Sequence, residues 1–317
     1  MVMLPPPPGI EVHEGVALAR HTYMRIGGPA RYFATPKGLA QLELLMLWAM
    51  QQRMSFRLLG GGSNLLVADE GIDAVVVSLR SAAGGMTFEG THVTAGAAVM
   101  LPALARAAAE HGLGGLEFAI GIPGSVGGAL QSNAGIGDGR SIGPLVESVE
   151  VFGARGFQTL SRDEVQFDYR RSSLRSSGVM VVGVTLGLAP RAGADIAAEM
   201  RRLLDARSAS QPTAEPNAGS IFRNPPGDFA GRLVEAAGCK GLAVGTARVS
   251  ELHANFIVHD GVATAREVTA LMAEIQHRVQ AQFGVWLLPE IEWWGDGTRP
   301  EAFGPDPFAE VDEGPGL

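Results

Sequence analysis

Apolar positions recur at helical spacing in several segments. The pattern predicts helices over Leu39–Arg53, Leu101–His111 with Gly112 as its stop, Ile196–Arg207, Phe229–Ala237 and Thr264–Phe283. In the last of these, Val268, Leu271, Met272, Ile275 and Val279 fall on one face. Short β-branched runs predict strands at Ala74–Leu79, His92–Ala95, Val146–Phe152, Val179–Leu188, Asn255–Val258 and Glu290–Trp294. The run RLLGGGSNLLV breaks from a strand into a tight turn at Gly60, Gly61, Gly62 and Ser63. Strands and helices alternate without a regular βαβ order, so the expected class is α+β, with a domain boundary around 190–200.

The ends read differently. Residues 1–9, with their proline run, are expected to be extended or disordered, and residues 296–317 mix Pro, Gly and acids without periodicity, as a flexible acidic tail does. The expected organisation is therefore 1–9 outside the fold, 10–192 as a first domain in two lobes, 193–295 as a second, and 296–317 as tail.

The stretch Gly114–Gly135 holds seven glycines and almost no charge. Each interior glycine costs roughly 0.5–1 kcal/mol relative to alanine in regular structure, so something must offset them. A backbone that turns sharply and approaches a bound group does so, offering bare N–H donors where a Cβ would clash. The turns GGGSNLL and GIPGSVGG, each with a serine and each followed by an asparagine (Asn64, Asn133), point to a large phosphate-bearing cofactor. Neither turn has the G-x-G-x-x-G or G-K-[ST] pattern, which argues against a Rossmann or triphosphate-hydrolysing site.

Charge and composition narrow the partners. A net charge of −8 argues against nucleic acid, and no apolar run is long enough to span a bilayer. The chain opens without a secretory signal pattern, which places it in the cytoplasm by expectation. Cys239, the single cysteine, has no metal-site company, so no metal is expected, and no obligate protein partner is indicated.

RIGGPARYF (Arg25–Phe33), LGGGSNLL (Leu59–Leu66), GIPGSVGGALQSNAG (Gly121–Gly135), YRRS (Tyr169–Ser172), NAGSIFRNP (Asn217–Pro225) and LPEIEWWG (Leu288–Gly295) stand in the order found in the UDP-N-acetylenolpyruvoylglucosamine reductase (MurB) family. The chain resembles that family from about residue 20 to 295. The resemblance implies a two-lobed FAD-binding domain of the PCMH or vanillyl-alcohol oxidase type, followed by a smaller α+β substrate domain. It implies NADPH-dependent reduction of enolpyruvyl UDP-GlcNAc to UDP-N-acetylmuramate for peptidoglycan, with FAD held non-covalently. Little room between Ile221 and His253 for an inserted element implies the shorter, second type of the family.

Carried over motif by motif, the catalytic candidates are Arg170, Ser220 and Glu290. Arg170 would steady a carboxylate and Ser220 would give a proton. Glu290, if buried among its apolar neighbours, would be a neutral hydrogen-bond donor. The cofactor-binding candidates are Arg25, Gly60, Gly61, Gly62, Ser63, Asn64, Leu65, Gly121, Ile122, Pro123, Gly124, Ser125, Gly127, Gly128, Ala134 and Gly135, with backbone N–H groups of Gly60–Asn64 and Gly121–Gly128 as the expected holders. Substrate contacts are expected from Tyr169, Arg207, Asn224, Arg232, Lys240, His253 and Asn255. Ser210 stands where many relatives have a lysine, which leaves Arg207 or Arg232 to meet the substrate's diphosphate. An alcohol or sugar oxidase of the same fold, or a flavin-binding module without turnover, are the competing readings. Covalent flavin lacks a histidine in either glycine turn, and a module would have no use for the three catalytic candidates together.

Overall fold

A computed structural model describes residues 5–153 and 155–305. The chain forms two compact units, the first from residues up to Glu14 with Tyr32–Gly61 and Ala74–Arg207, the second from Gly15–Arg31, Gly62–Asp73 and residues from Ser208 onward. The second unit therefore draws on two early segments that the sequence reading assigns to the first domain.

The first unit is built on a five-stranded antiparallel sheet in the order Gly156–Ser161, Val146–Gly153, Met180–Gly187, His92–Gly96, Met86–Glu89. Its central strands bury Val149, Val151, Val184 and Leu186, as their β-branched composition leads one to expect. A four-stranded sheet has the order Glu11–Ala17, Pro29–Thr35, Ile72–Ser78, Ser55–Leu59, and its last pair is parallel, with Ser55 opposite Ala74. Helix α1 (Leu39–Gln51) lays Leu42, Leu45 and Trp48 into the core, where Trp48 meets Tyr32 edge to face at 5.0 Å. Helix α2 (Leu101–Glu110) carries Pro102 in its first turn, where no donor is lost, and buries Leu101, Leu104, Ala105 and Ala108. Helix α3 (Val126–Ser132) ends on Asn133 in the left-handed conformation. Helix α4 (Gly193–Ser210) buries only Ile196 and Met200, and both sit in the first unit's core. Those two anchors correct the expected boundary: the chain changes unit at 207/208, not near 193.

In the second unit, α5 (Ala230–Ala236) and α6 (Ala265–Phe283) pack with a small antiparallel sheet of Ala243–Val244, Ala247–Val249 and Ile257–Val258. Strand Glu292–Trp294 pairs in parallel with Leu65–Val67, so the last strand is tied to the segment that follows the first glycine turn. Met24, Ile26, Leu66 and Phe222 join the buried face of α6, which carries the five apolar residues expected there. Among the described residues no helix is long and apolar enough to cross a membrane.

The N-terminus of α6 leaves none of its first donors idle. Ala265 and Arg266 N–H groups donate to the two carboxylate oxygens of Asp69 at 2.7 and 3.1 Å, Glu267 N–H donates to Thr264 Oγ1 at 3.1 Å, and Val268 N–H reaches Thr264 O.

Both ends depart from expectation. A 3₁₀ turn at Glu301–Phe303 docks on α6, with Ala302 and Phe303 buried, Gln276 Nε2 donating to Ala302 O at 2.9 Å, and Phe303 5.6 Å from the Trp293 ring. The cause is one aromatic anchor in a segment whose composition otherwise reads as tail. Residues 306–317 and 1–4 lie outside the described residues. Of the N-terminal run, Gly9 accepts at its carbonyl from Gln41 Nε2 at 3.2 Å, which fixes the segment's end to α1.

Two outcomes follow for stability. Asp69→Ala takes the acceptors from two N–H donors at the start of α6 and should cost about 1–2 kcal/mol in urea unfolding, with Asp69→Asn losing less. Phe303→Ala empties a core position and should cost about 3 kcal/mol; an unchanged urea midpoint would return the segment to the status of a tail.

Candidate active site

In the first unit the two glycine turns lie backbone against backbone. A Cβ built on Gly61 would stand 2.7 Å from Gly124 Cα, and one on Gly60 would stand 2.5 Å from Ser125 Oγ. Gly124 also has φ +124°, a conformation that side chains resist. The contact needs glycine on both sides. Ser125 is buried and pairs with Met100 in an isolated bridge, and Leu101 N–H donates to Gly124 O at 2.9 Å.

The turns do not offer every N–H expected of them. Ile122 donates to Ala119 O at 3.1 Å, Val126 to Val99 O at 2.8 Å and Gly127 to Ala97 O at 2.8 Å. These three bonds hold the turn in shape and leave a smaller set of donors for a ligand. Gly60 and Gly128 remain exposed, with bare backbone on the surface. Two glycine edges held side by side, with neutral amide donors and no crowding side chain, fit a flat phosphate-bearing cofactor such as FAD. Among the described residues no cluster of His, Cys, Asp or Glu could hold a metal ion.

The far end of the same motif holds Arg170. Phe167–Asp168 and Arg171–Ser172 pair as an antiparallel hairpin with Tyr169 and Arg170 as its two loop residues. Arg170 has φ +55°, where Gly or Asn is usual, and the exposed Tyr169 ring lies 5.4 Å from its guanidinium carbon. Backbone strain of this kind persists where the surroundings over-determine it. Here Arg170 Nη1 donates to Gly135 O at 3.0 Å, Ser172 Oγ donates to Gln131 O at 3.1 Å, and Asn133 Nδ2 donates to Asp168 O at 3.0 Å. Asn133 Oδ1 also accepts from Gly143 N–H at 3.0 Å. Asn133 thus joins the end of α3, the hairpin and a third loop. Ala134 N–H is spent on Ala129 O at 2.9 Å. Arg207 lies with its Cδ 3.5 Å from the position a Cβ would take on Gly121.

In the second unit, backbone pairing makes neighbours of the segments that carry Ser220 and Glu290. Phe222 and Pro289 form an antiparallel bridge, flanked by Glu290 N–H to Ile221 O at 2.8 Å and Arg223 N–H to Leu288 O at 2.9 Å. Glu290 is half-buried rather than enclosed, so the expected deep burial is not found. Its strand is set by Asn64, whose Nδ2 donates to Glu290 O at 3.1 Å and whose carbonyl accepts from Glu292 N–H at 2.9 Å. The Asn64 side chain is thus spent on the strand that carries Glu290. Leu65 is buried in the parallel pair with that strand, and Gly62 O accepts from Tyr23 N–H at 2.9 Å. In RIGGP, Gly28 N–H donates to Ala68 O at 2.8 Å, and a Cβ on Gly28 would run into the Asp69 backbone. These glycines serve a chain crossing. Arg25 beside them is exposed, at φ +54°.

The remaining substrate candidates separate by what they already hold. Asn224 Oδ1 accepts from Ala230 N–H at 3.0 Å and caps α5. Arg232 forks onto Asp228 (Nε to Oδ1 at 2.6 Å), and that hydrogen bond holds the Asp228 carboxyl down at about 2. Lys240 pairs with Glu235 at 2.8 Å. His253 accepts at Nδ1 from Asn255 N–H at 3.1 Å, and burial pushes its pKa down, so it stands as a neutral acceptor. Asn255, expected as a substrate contact, is buried with its amide bonded to the backbone of Phe222. The holding roles of Asn64, Asn133 and Asn255 carry no sequence signal beyond residue type, since each depends on a loop remote in the chain.

Residues 211–294 match the profile of the UDP-N-acetylenolpyruvoylglucosamine reductase C-terminal domain, and residues 30–158 match an FAD-binding domain. The chain is 43% identical over 278 residues to UDP-N-acetylenolpyruvoylglucosamine reductase 2 of Symbiobacterium thermophilum, covering 88% of this chain and 90% of the relative. It is 44% identical over 289 residues to the reductase of Moorella thermoacetica, covering 91% and 95%. The crystal structure of the MurB reductase of Thermus caldophilus superposes with a TM-score of 0.76 at 37% identity, covering 90% of this chain and all of that one. With glycine turns, strained arginine hairpin and paired Ser220 and Glu290 segments in place, and with identity of this extent along nearly its whole length, the chain belongs to the UDP-N-acetylenolpyruvoylglucosamine reductase family.

Proposed function

We propose that Arg170, Ser220 and Glu290 carry the second half of a two-step reduction, and that Ser220 is its proton donor. The chain is an FAD-dependent oxidoreductase that reduces the enolpyruvyl group of UDP-N-acetyl-3-O-(1-carboxyvinyl)-glucosamine to the lactyl ether of UDP-N-acetylmuramate with NADPH, a step of peptidoglycan precursor synthesis. FAD, when bound, supplies the ring that takes a hydride from NADPH and delivers it to the terminal enolpyruvyl carbon.

Addition of hydride to that carbon leaves negative charge on the adjacent carbon and its carboxylate. Arg170, permanently cationic, counters the charge. Glu290, in its protonated form, donates a hydrogen bond to a carboxylate oxygen. Ser220 Oγ gives its proton to the adjacent carbon, completing the lactyl ether, and recovers a proton from solvent after product leaves. Serine is a weak acid, but a carbon bearing this charge is a strong base, and alignment does the rest. The observation that carries the assignment is the bridge at Phe222 and Pro289, which makes the segments bearing Ser220 and Glu290 direct neighbours.

The Asp228–Arg232 and Glu235–Lys240 pairs are solvent-screened surface ion pairs, so a diphosphate can displace either carboxylate at little cost. Arg207, against Gly121, is a third cation for the same task. The proposed setting is the cytoplasm, where the nucleotide sugar and NADPH are both at hand.

Gly61→Val should release FAD, because its side chain would drive the two turns apart; the checks are the 450 nm absorbance of purified protein and reconstitution with added FAD. Ser220→Ala should bleach normally with NADPH under anaerobic mixing and then re-oxidise with enolpyruvyl substrate about 10²–10⁴-fold more slowly. Equal slowing of both half-reactions would make Ser220 a residue that positions flavin and not a proton donor.

A further inference from the structure

Ser220 follows Gly219, which has φ +78°, so the chain on its N-terminal side has little stiffness of its own. On that side Gly219 N–H donates to Asn217 Oδ1 at 3.0 Å, and on the C-terminal side the hold comes from Asn255. Ile221 N–H donates to the Asn255 carbonyl at 2.9 Å, Phe222 N–H donates to Asn255 Oδ1 at 2.9 Å, and Asn255 Nδ2 donates to Phe222 O at 2.8 Å. The fourth polar group of these two residues, Ile221 O, accepts from Glu290 N–H. All four backbone groups next to Ser220 are therefore committed, three of them to one residue.

Asn255 is 4% exposed. A carboxamide presents one acceptor and one donor in a plane, matched to the N–H and C=O of a single extended residue. Aspartate supplies only the acceptor when ionised. Leucine supplies neither and would leave two buried groups unpaired.

We propose that Asn255 is the positioning residue for Ser220: it holds residues 221 and 222 so that the serine hydroxyl stays at the carbon that takes the proton. The inference rests on the reading of Ser220 as proton donor. It replaces the sequence expectation that Asn255 meets the substrate directly.

The test uses the FAD-loaded enzyme with anaerobic stopped flow, one half-reaction at a time, on Asn255→Asp, Asn255→Leu, Ser220→Ala and the double variant Ser220→Ala/Asn255→Leu. Flavin reduction by NADPH should stay within about twofold of the parent in all four. Re-oxidation at saturating enolpyruvyl substrate should fall about 10²-fold in Asn255→Leu, as misplacement of a reacting group by about 1 Å does, and less in Asn255→Asp, with substrate affinity unchanged. Adding Asn255→Leu to Ser220→Ala should cost no more than about twofold further, because a misplaced proton donor cannot be lost twice. Should Asn255→Leu fail to fold, the near-isosteric Asn255→Asp carries the same comparison. Weaker substrate binding with a normal saturated rate would make Asn255 a substrate contact and overturn the proposal, as would equal slowing of both half-reactions or a full additive loss in the double variant. Normal re-oxidation in Ser220→Ala would instead remove the proton-donor reading on which the proposal stands; slow re-oxidation there with a parent-like Asn255→Leu would overturn the positioning role alone.

Discussion

The antiparallel bridge between Phe222 and Pro289 is the constraint on which the second unit's chemistry depends. In an antiparallel pair, residues opposite each other alternate between exchanging two hydrogen bonds and exchanging none. Phe222 and Pro289 take the second arrangement, since the bonds flank them at Ile221 with Glu290 and at Arg223 with Leu288. Proline is tolerated there because the position asks for no donor toward its partner. Phe222 directs its own N–H and C=O to the other side, where Asn255 receives both. One register thus sets three things: the segment after Ser220 beside the one that carries Glu290, a proline inside a paired segment, and a buried asparagine bonded to Phe222.

The first unit solves a different problem with backbone alone. Its two glycine turns touch without side chains between them, and several of their N–H groups are spent inside the protein. That rigidity is what a non-covalent cofactor site requires, because a loop ordered only on binding would subtract its ordering entropy from the affinity. Arg170 is held by the same logic. Its positive φ is unfavourable for arginine, and bonds from Asn133 and Ser172 across to α3 and the hairpin keep it there.

The element types were legible because periodicity reports burial: α6 presents the five apolar residues its spacing predicts, and α2 stops at Gly112. The boundary at 207 was not, because the apolar spacing of α4 gives its face but not the core it joins, which Ile196 and Met200, with Leu203 beside them, decide. Nor was the docking of Phe303, one aromatic in a segment rich in Pro, Gly and acid. Of the site, the glycine turns and the three catalytic candidates stood out by motif, and pairing makes neighbours of the segments that carry two of them. The division of the second unit into three separated stretches was hidden, since Leu65–Val67 pairs with Glu292–Trp294 through contacts that no local pattern announces. The half-buried setting of Glu290 shows the same limit: apolar sequence neighbours do not by themselves enclose a side chain.

Asn64, Asn133 and Asn255 each hold a segment bearing one of the catalytic candidates, and the choice of a neutral amide follows from what those candidates must do. Under the roles proposed above, Glu290 is to be available as an uncharged donor, and Arg170 is to keep its charge for a substrate carboxylate. An ionised carboxylate holding the Glu290 strand would raise the acid's pKa by repulsion, and an ammonium group would lower it. A carboxamide gives one donor and one acceptor with no net charge, so it fixes a loop without biasing the protonation of its neighbour. Arg232 and Lys240, the cations proposed above to meet the ligand, are paired with the half-buried Asp228 and the exposed Glu235. Geometry is thereby assigned to neutral groups inside, and charge to groups that the ligand can reach.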